Sequence, residues 1–355
     1  MPEIDGAPVE RDARSPSLGE APSGSLLYGA LDLGTNNCRL LIARPARDGF
    51  RVVDSFSRIV RLGEGISRTG RLTNDAMDRA YDALAICAER VAKKNLPSDR
   101  IAAVATQACR AAENGEEFID RVRRGTGLKL RIITPDEEAR LSVEGCRNLL
   151  DQRARAVLVV DVGGGSTELS WLVRKDRGFE TVGWMSAPVG VVTLAEGHPE
   201  SLDDPASWYE AMIGAMATAI QCAPVNGEVK ALFDEGHAHL VGTSGAITSL
   251  AGIHLKLPRY QRDRVDGLWM SRNDCEDAAR LLLDLGPDGR AQNACIGPDR
   301  ADLVMAGAAI LEAVQRSWPC ARVRVADRGL REGLLLERMR SGRRRRRRGR
   351  RRPRD

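Results

Sequence analysis

Residues 30–43 read ALDLGTNNCRLLIA, and residues 159–172 read VVDVGGGSTELSWL. Each is an apolar stretch, an Asp, one more apolar residue, a Gly, a small polar turn and a second apolar stretch. Asp32 aligns with Asp161 and Gly34 with Gly163, at one offset of 129 residues. Apolar runs broken by a Gly-rich turn predict β-hairpins, here with an Asp at the exit of the first strand. Each copy is followed by more than a hundred residues of mixed helix and strand pattern. The repeat therefore predicts two similar α/β domains facing one another across a cleft.

Working outward, 50–60, 101–106 and 128–134 read as strands. Met77, Ala80, Leu84, Cys87, Ala88 and Val91 recur at helical spacing, so 73–94 reads as an amphipathic helix, and another begins near Gly115. Thr134-Pro135-Asp136-Glu137 predicts a helix start: Thr as N-cap, Pro first, and Glu third, turning back to the cap N–H. In the second half, 239–253 reads strand, Gly-rich loop, helix, and 323–339 strand, Gly turn, helix. Helical stretches at 274–285 and 300–316 lie between them. The boundaries expected are an N-terminal extension over 1–26, a first domain over 27–150, a second over 151–340 that includes the C-terminal helix, and a tail over 341–355. Both ends read as disordered, the first from its Pro, Gly and Ser content, the second from self-repulsion of ten Arg.

Charge places any anion site locally. The net charge is +5, but the tail alone carries +9 and the first 26 residues −3, leaving the body at −1. A near-neutral body gives no global case for nucleic acid. No apolar run is long enough to span a bilayer, and the acidic start lacks a secretory apolar core. Eight scattered Cys without a C-x-x-C, and four His without matching spacing, exclude a zinc framework or a disulfide scaffold. Reduced thiols and a cytoplasmic location are expected. His237 and His239 read as exposed loop histidines.

An Asp at a strand end followed by a Gly-rich turn suits a metal-bound polyphosphate. Gly lets backbone N–H groups approach phosphate oxygens, Ser and Thr add donors, and the Asp holds Mg²⁺ directly or through water. Asp32 and Asp161 are the expected metal positions. Thr35, Asn36 and Asn37 of the first turn, with Gly163, Gly164, Gly165, Ser166 and Thr167 of the second, are the expected phosphate-lining residues. The loop with Gly242, Ser244 and Gly245 is a third such element. There is no G-x-x-x-x-G-K-[ST], no G-x-G-x-x-G after a strand and no G-x-S-x-G. From the residues alone, Glu138 is either a water activator or one more acid favoured at a helix N-terminus. Glu168 is either a ligand for metal or water or a solvated strand residue. Arg110 is either a phosphate clamp or the partner of Glu113, and Arg39 is a weaker phosphate candidate.

These segments, with ATQACRAAEN (105–114), PDEEAR (135–140) and GTSGAITSLAG (242–252), resemble the exopolyphosphatase/guanosine pentaphosphate phosphohydrolase (Ppx/GppA) family of the actin, sugar-kinase and heat-shock-chaperone superfamily. The resemblance runs from about residue 28 to 336. It implies two actin-like, ribonuclease H-like domains and hydrolysis of a terminal phosphoanhydride with Mg²⁺ or another divalent cation, and K⁺ as a further option. It puts the catalytic Glu on Glu138, gives Glu168 a catalytic role, and makes Arg110 the phosphate clamp. The substrate expected is inorganic polyphosphate, with guanosine pentaphosphate (pppGpp), a nucleotide of the stringent response, as the alternative. A non-catalytic sensor of these anions is the rival of another class. A sugar-kinase reading is disfavoured because 242–245 lacks an adjacent Gly-Gly. A homodimer is among the expectations, and the Arg-rich tail suits RNA, polyphosphate or an anionic membrane.

Overall fold

The computed structural model describes residues 26–47 and 49–350, with side chains to residue 342. The first half contains β1 (Tyr28–Leu33), β2 (Asn37–Ala46), β3 (Gly49–Ile59), α1 (Ile66–Thr69), α2 (Asn74–Lys93), β4 (Ile101–Ala105), α3 (Gln107–Ala111), α4 (Gly115–Thr126), β5 (Arg131–Ile132) and α5 (Pro135–Cys146). The second continues with β6 (Ala156–Val162), β7 (Thr167–Lys175), β8 (Gly178–Ala187), α6 (Val191–Gly197), α7 (Pro205–Ile220), α8 (Gly227–Asp234), β9 (Ala238–Thr243) and α9 (Gly245–His254). It ends with α10 (Arg262–Val265), β10 (Trp269–Ser271), α11 (Arg272–Gln292), α12 (Val304–Ser317), β11 (Arg322–Ala326) and α13 (Leu330–Arg350).

The repeat extends through the sheets. The first is ordered β3-β2-β1-β4-β5, and the second β8-β7-β6-β9-β11 with β10 added at its edge. In both, three antiparallel strands lead into parallel neighbours. Even the bulges correspond, at Ile42/Ala43 and Trp171/Leu172, again 129 residues apart. This is the expected two-domain α/β fold of actin-like, ribonuclease H-like type. No described helix is long and apolar enough to cross a membrane.

Two helices join the halves, and here the boundaries need correcting. The C-terminal helix α13 lies not on the second sheet but on the first. Leu330, Leu334, Leu335 and Met339 form one apolar stripe against Tyr28, Ala30, Leu41 and Val104, and full burial of each such side chain contributes about 1.5–3 kcal/mol. Conversely, Val143 and Cys146 of α5 pack on Val157, Val159 and Leu172 of the second sheet. The helices cross backbone to backbone. A Cβ on Gly145 would lie 2.0 Å from Gly329 O, and one on Gly333 2.0 Å from Leu141 O. Only glycine permits that approach.

Three further expectations change. Residues 341–350 continue α13 rather than being disordered; the helix is already nucleated by its packed first turns, and Arg propagates a helix well. Residues 351–355 and 1–25 lie outside the described residues. The strand expected over 128–134 shrinks to Arg131–Ile132, paired with Val104 and Ala105 of β4; at the other end of β4, Arg338 Nη2 donates to the Ile101 carbonyl at 2.7 Å. His239 is buried on β9, where Nε2 accepts from Asp151 N at 3.1 Å; only His237 is exposed.

Candidate active site

Asp32 and Asp161 end equivalent strands, and the turns after them close alike. Gly34 N donates to Asn37 O at 2.8 Å, and Gly163 N to Ser166 O at 2.9 Å. The turn tips face one another across the cleft. A Cβ on Gly164 would lie 2.8 Å from Thr35 Cβ, and one on Gly165 2.0 Å from Gln107 Oε1. The second turn is glycine-rich, then, partly because the first turn comes so close.

Between the turns lies a cavity of about 470 Å³. Its first-half wall carries Asp32, Thr35, Asn36, Asn37, Arg39 and Glu138. Its second-half wall carries Asp161, Gly163, Gly164, Gly165, Ser166, Ser244 and Gly245. Three expected phosphate residues do not line it: Thr167, Gly242 and Arg110, whose guanidinium goes to Glu138 and Ile133 O. Thr167 is fully buried and donates from Oγ1 to Val189 O at 2.6 Å, because successive strand residues point to opposite faces. Gly242 lies within β9, where a Cβ would lie 2.9 Å from Ile247 Cδ1 of α9.

The two glutamates occupy different depths. Thr134 caps α5 by accepting from Glu137 N at 3.2 Å, and the helix then aims Glu138 at the cavity. Arg110 donates to Glu138 Oε2 at 3.2 Å and to Ile133 O at 2.7 Å; Glu113 pairs with Arg71 instead. Glu137 does not complete the capping box, because its carboxylate is held by both Arg131 terminal nitrogens, at 2.5 and 2.6 Å. Glu168, 2% exposed, sits behind the cavity wall. Its Oε1 accepts from Ser166 Oγ at 2.8 Å and Ser186 Oγ at 2.7 Å.

Burial and mutual repulsion push these carboxyls up together. Burial, with Asp161 and Glu332 adding to it against Arg39 and Arg331, raises Asp32 to about 6. Burial and then Asp161 raise Glu168 to about 7. Burial and then Glu168 raise Glu138 well above the usual range. Burial also raises Asp161, against a hydrogen bond from Ser142. Such a cluster is stable as anions only when a cation joins it. Asp32 Oδ1, Asn36 Oδ1 and Asn37 Oδ1 are buried without a partner, so acceptors stand waiting beside the turn.

Sequence reasoning missed the opposite charge. Arg300, Arg328 and Arg331 join Arg39 on the cavity wall. Arg328 is held by Asp266. Arg39 and Arg300 make no side-chain hydrogen bond or ion pair among the described residues, and burial followed by Arg331 holds the Arg39 guanidinium below its usual range. Tyr260, Cys295 and Ile296 also line the cavity. A search for Arg in Gly-containing strand–helix turns would have found Arg331, in DRGLRE (327–332).

A description of the Ppx/GppA phosphatase family matches residues 41–342. The chain belongs to the Ppx/GppA phosphatase family. It is 30% identical over 326 residues to the guanosine-5'-triphosphate,3'-diphosphate pyrophosphatase of Photobacterium profundum, a match covering 89% of this chain and 60% of that protein. The chain thus spans about 60% of the length of that relative. Among solved structures, an exopolyphosphatase-like protein superposes with a TM-score of 0.76 at 29% identity, over 88% of this chain and 97% of its own. The Aquifex aeolicus member of the Ppx/GppA family gives 0.70 at 25% identity, over 89% and 98%. Ppx/GppA members are phosphoanhydride hydrolases.

Proposed function

We propose that the chain hydrolyses the terminal phosphoanhydride of inorganic polyphosphate. The observation that carries this is the pairing, in one cavity, of two Gly-containing turns, Arg39 and Arg300, which have no side-chain partner among the described residues, and the buried carboxyls of Asp32, Glu138 and Asp161, with Glu168 behind the wall. Hydrolysis at phosphorus needs charge offset, a held leaving group and one oriented water. Turn N–H groups, Ser166, Arg39, Arg300 and Arg331 supply the first two. Glu138, on the cavity wall, takes the proton of the attacking water. Arg110 holds that carboxylate in place, and Glu168 acts from behind through Ser166.

The residues fit a divalent cation. Asp32 has a buried, unpartnered oxygen, and Asp161 stands at the matching position. Mg²⁺ is commonly held by one or two carboxylates together with substrate phosphates. When bound, it neutralises charge on the phosphate oxygens. The eight unpaired thiols suit a reducing compartment such as the cytoplasm. The run of Arg beyond Gly342 would attract long anions, polyphosphate foremost.

A second reading, hydrolysis of pppGpp, is favoured by the aromatic and apolar lining of Tyr260, Cys295 and Ile296, which suits a nucleoside. Phosphate release from polyphosphate, pppGpp and ATP, side by side with Mg²⁺, tests both. Fastest release from polyphosphate supports the first reading, and fastest release from pppGpp the second. Release from ATP alone, or binding without release, overturns both.

A further inference from the structure

Each phosphate turn is bonded through its backbone to a flanking segment of its own half. On the first turn, Val60 N and Arg61 N both donate to Asn36 O, at 2.8 and 3.1 Å, and Gly63 N donates to Thr35 O at 2.9 Å. On the second turn, Val191 N donates to Gly163 O at 3.0 Å and Val192 N to Gly164 O at 2.8 Å, so α6 is mounted on that turn.

The two flanking segments then grip one another across the mouth of the cleft. Glu196 of α6 accepts from Gly65 N at 3.0 Å and from Ser67 Oγ at 2.8 Å. Arg61 reaches over to Asp302 with both terminal nitrogens, at 2.9 and 3.1 Å, and to Asp299 O at 3.1 Å. These partners flank Arg300 on the cavity wall. Arg79 of α2 braces the loop from behind, donating to Val60 O, Arg61 O and Glu64. Arg61 itself sits at φ +46°, a left-handed conformation disfavoured for a side chain of its size. Local bonds hold this backbone: Arg61 N donates to Asn36 O at 3.1 Å, and Arg61 O accepts from Glu64 N at 3.2 Å and Arg79 Nη2 at 3.3 Å.

We propose that Arg61 and Glu196 are positioning residues that close the cleft by drawing the two phosphate turns together. The inference rests on the reading of those turns as phosphate cradles. Through Glu196 the bond chain is short: substrate-facing turn, flanking segment, latch, flanking segment, opposite turn; Arg61 instead ties the first turn's segment to residues 299–302, beside Arg300. Closing the latch fixes the separation of Thr35 and Gly164, and opening it lets both turns move apart with their segments. Arg61 and Asp302 are 34% and 50% exposed, so the pair is weak and screened by salt. A weak latch can release on every turnover.

The test uses the full chain and the variants Glu196→Gln and Asp302→Asn, which leave the left-handed backbone of Arg61 alone. Each should lower kcat roughly 10- to 100-fold through loosened positioning, with an unchanged melting temperature and a larger radius of gyration by X-ray scattering. The exchange Arg61→Asp with Asp302→Arg should restore kcat and compactness, since Asp tolerates left-handed backbone. A drop in melting temperature without a drop in kcat, or an exchange that restores nothing, overturns the proposal. Should the wild type release no phosphate from either anion, the functional reading fails, while scattering of the single variants still decides the latch: no expansion overturns it.

Discussion

The two hairpins share their turn bond, their bulge and their Asp, yet differ at the residue directly opposite that Asp. Asp32 faces Arg39 across β1 and β2, whereas Asp161 faces Glu168 across β6 and β7. The positions are equivalent in the repeat. One half thus delivers a cation beside its carboxylate and the other a second carboxylate. Asp32 keeps a free oxygen, while Asp161 receives the Ser142 hydroxyl. The difference teaches that a repeated scaffold can divide its labour by a single opposed residue. On the proposed function, Arg39 of the first hairpin is expected to serve anion binding, and Glu168 of the second to support, from behind Ser166, the proton step at Glu138.

The sharpest way to break this comparison is at the carboxylates. Glu138→Gln and Glu168→Gln should each lower kcat by about 10²–10⁴-fold, the range for loss of a general base, with KM nearly unchanged in steady-state phosphate release. Arg39→Ala should do the converse. A charged hydrogen bond contributes about 1.5–3 kcal/mol, so KM should rise roughly 10- to 100-fold, with a smaller change in kcat. If Arg39→Ala abolishes kcat while Glu168→Gln only weakens binding, the division of labour is reversed.

A milder effect concerns protons. Asp32 and Glu168 stand at about 6 and about 7 in the folded, metal-free protein, against ordinary values near 4 when unfolded. Between those limits the folded state binds more protons than the unfolded chain, so stability falls as pH rises. Metal-free protein should melt several degrees lower at pH 8 than at pH 5, and added Mg²⁺ should flatten that slope. A melting temperature that rises over this interval would contradict the crowded-carboxylate picture. The smallest effect belongs to Glu137. Its bond to Arg131 is a partly exposed ion pair, so Glu137→Gln should cost about 1 kcal/mol or less in urea unfolding and leave kcat unchanged. Should Glu137→Gln be the inactive variant instead, the roles of the two neighbouring glutamates are exchanged.

What could be read from the sequence was whatever is local. The hairpins, the helix over 74–93 and the Thr134 cap each announce themselves within a few residues. Glu138 was left open by the residues themselves, since an acid near a helix N-terminus needs no catalytic reason; the family resemblance singled it out. Arg300 was illegible because a segment remote from the hairpins brings it to the cleft and no period links it to them, whereas Arg331 follows a Gly turn that the sequence shows and was passed over. Thr167 was misjudged although strand alternation already turned it away from Glu168. The place of α13 on the first sheet was hidden because its apolar stripe says only that it is covered, not by which half.

That last placement sets a length scale. The helix starts at the cleft with Arg331 and runs past the far end of β1, where Gly342 meets the Tyr28 ring. At about 1.5 Å per residue, the arginine run opens at Arg343, roughly 18 Å from Arg331. If the run holds anions as proposed, one shorter than that span is expected to occupy the cleft or the run, but not both. The helix would then act as a built-in ruler, and only chains that outreach it would gain from a second point of hold.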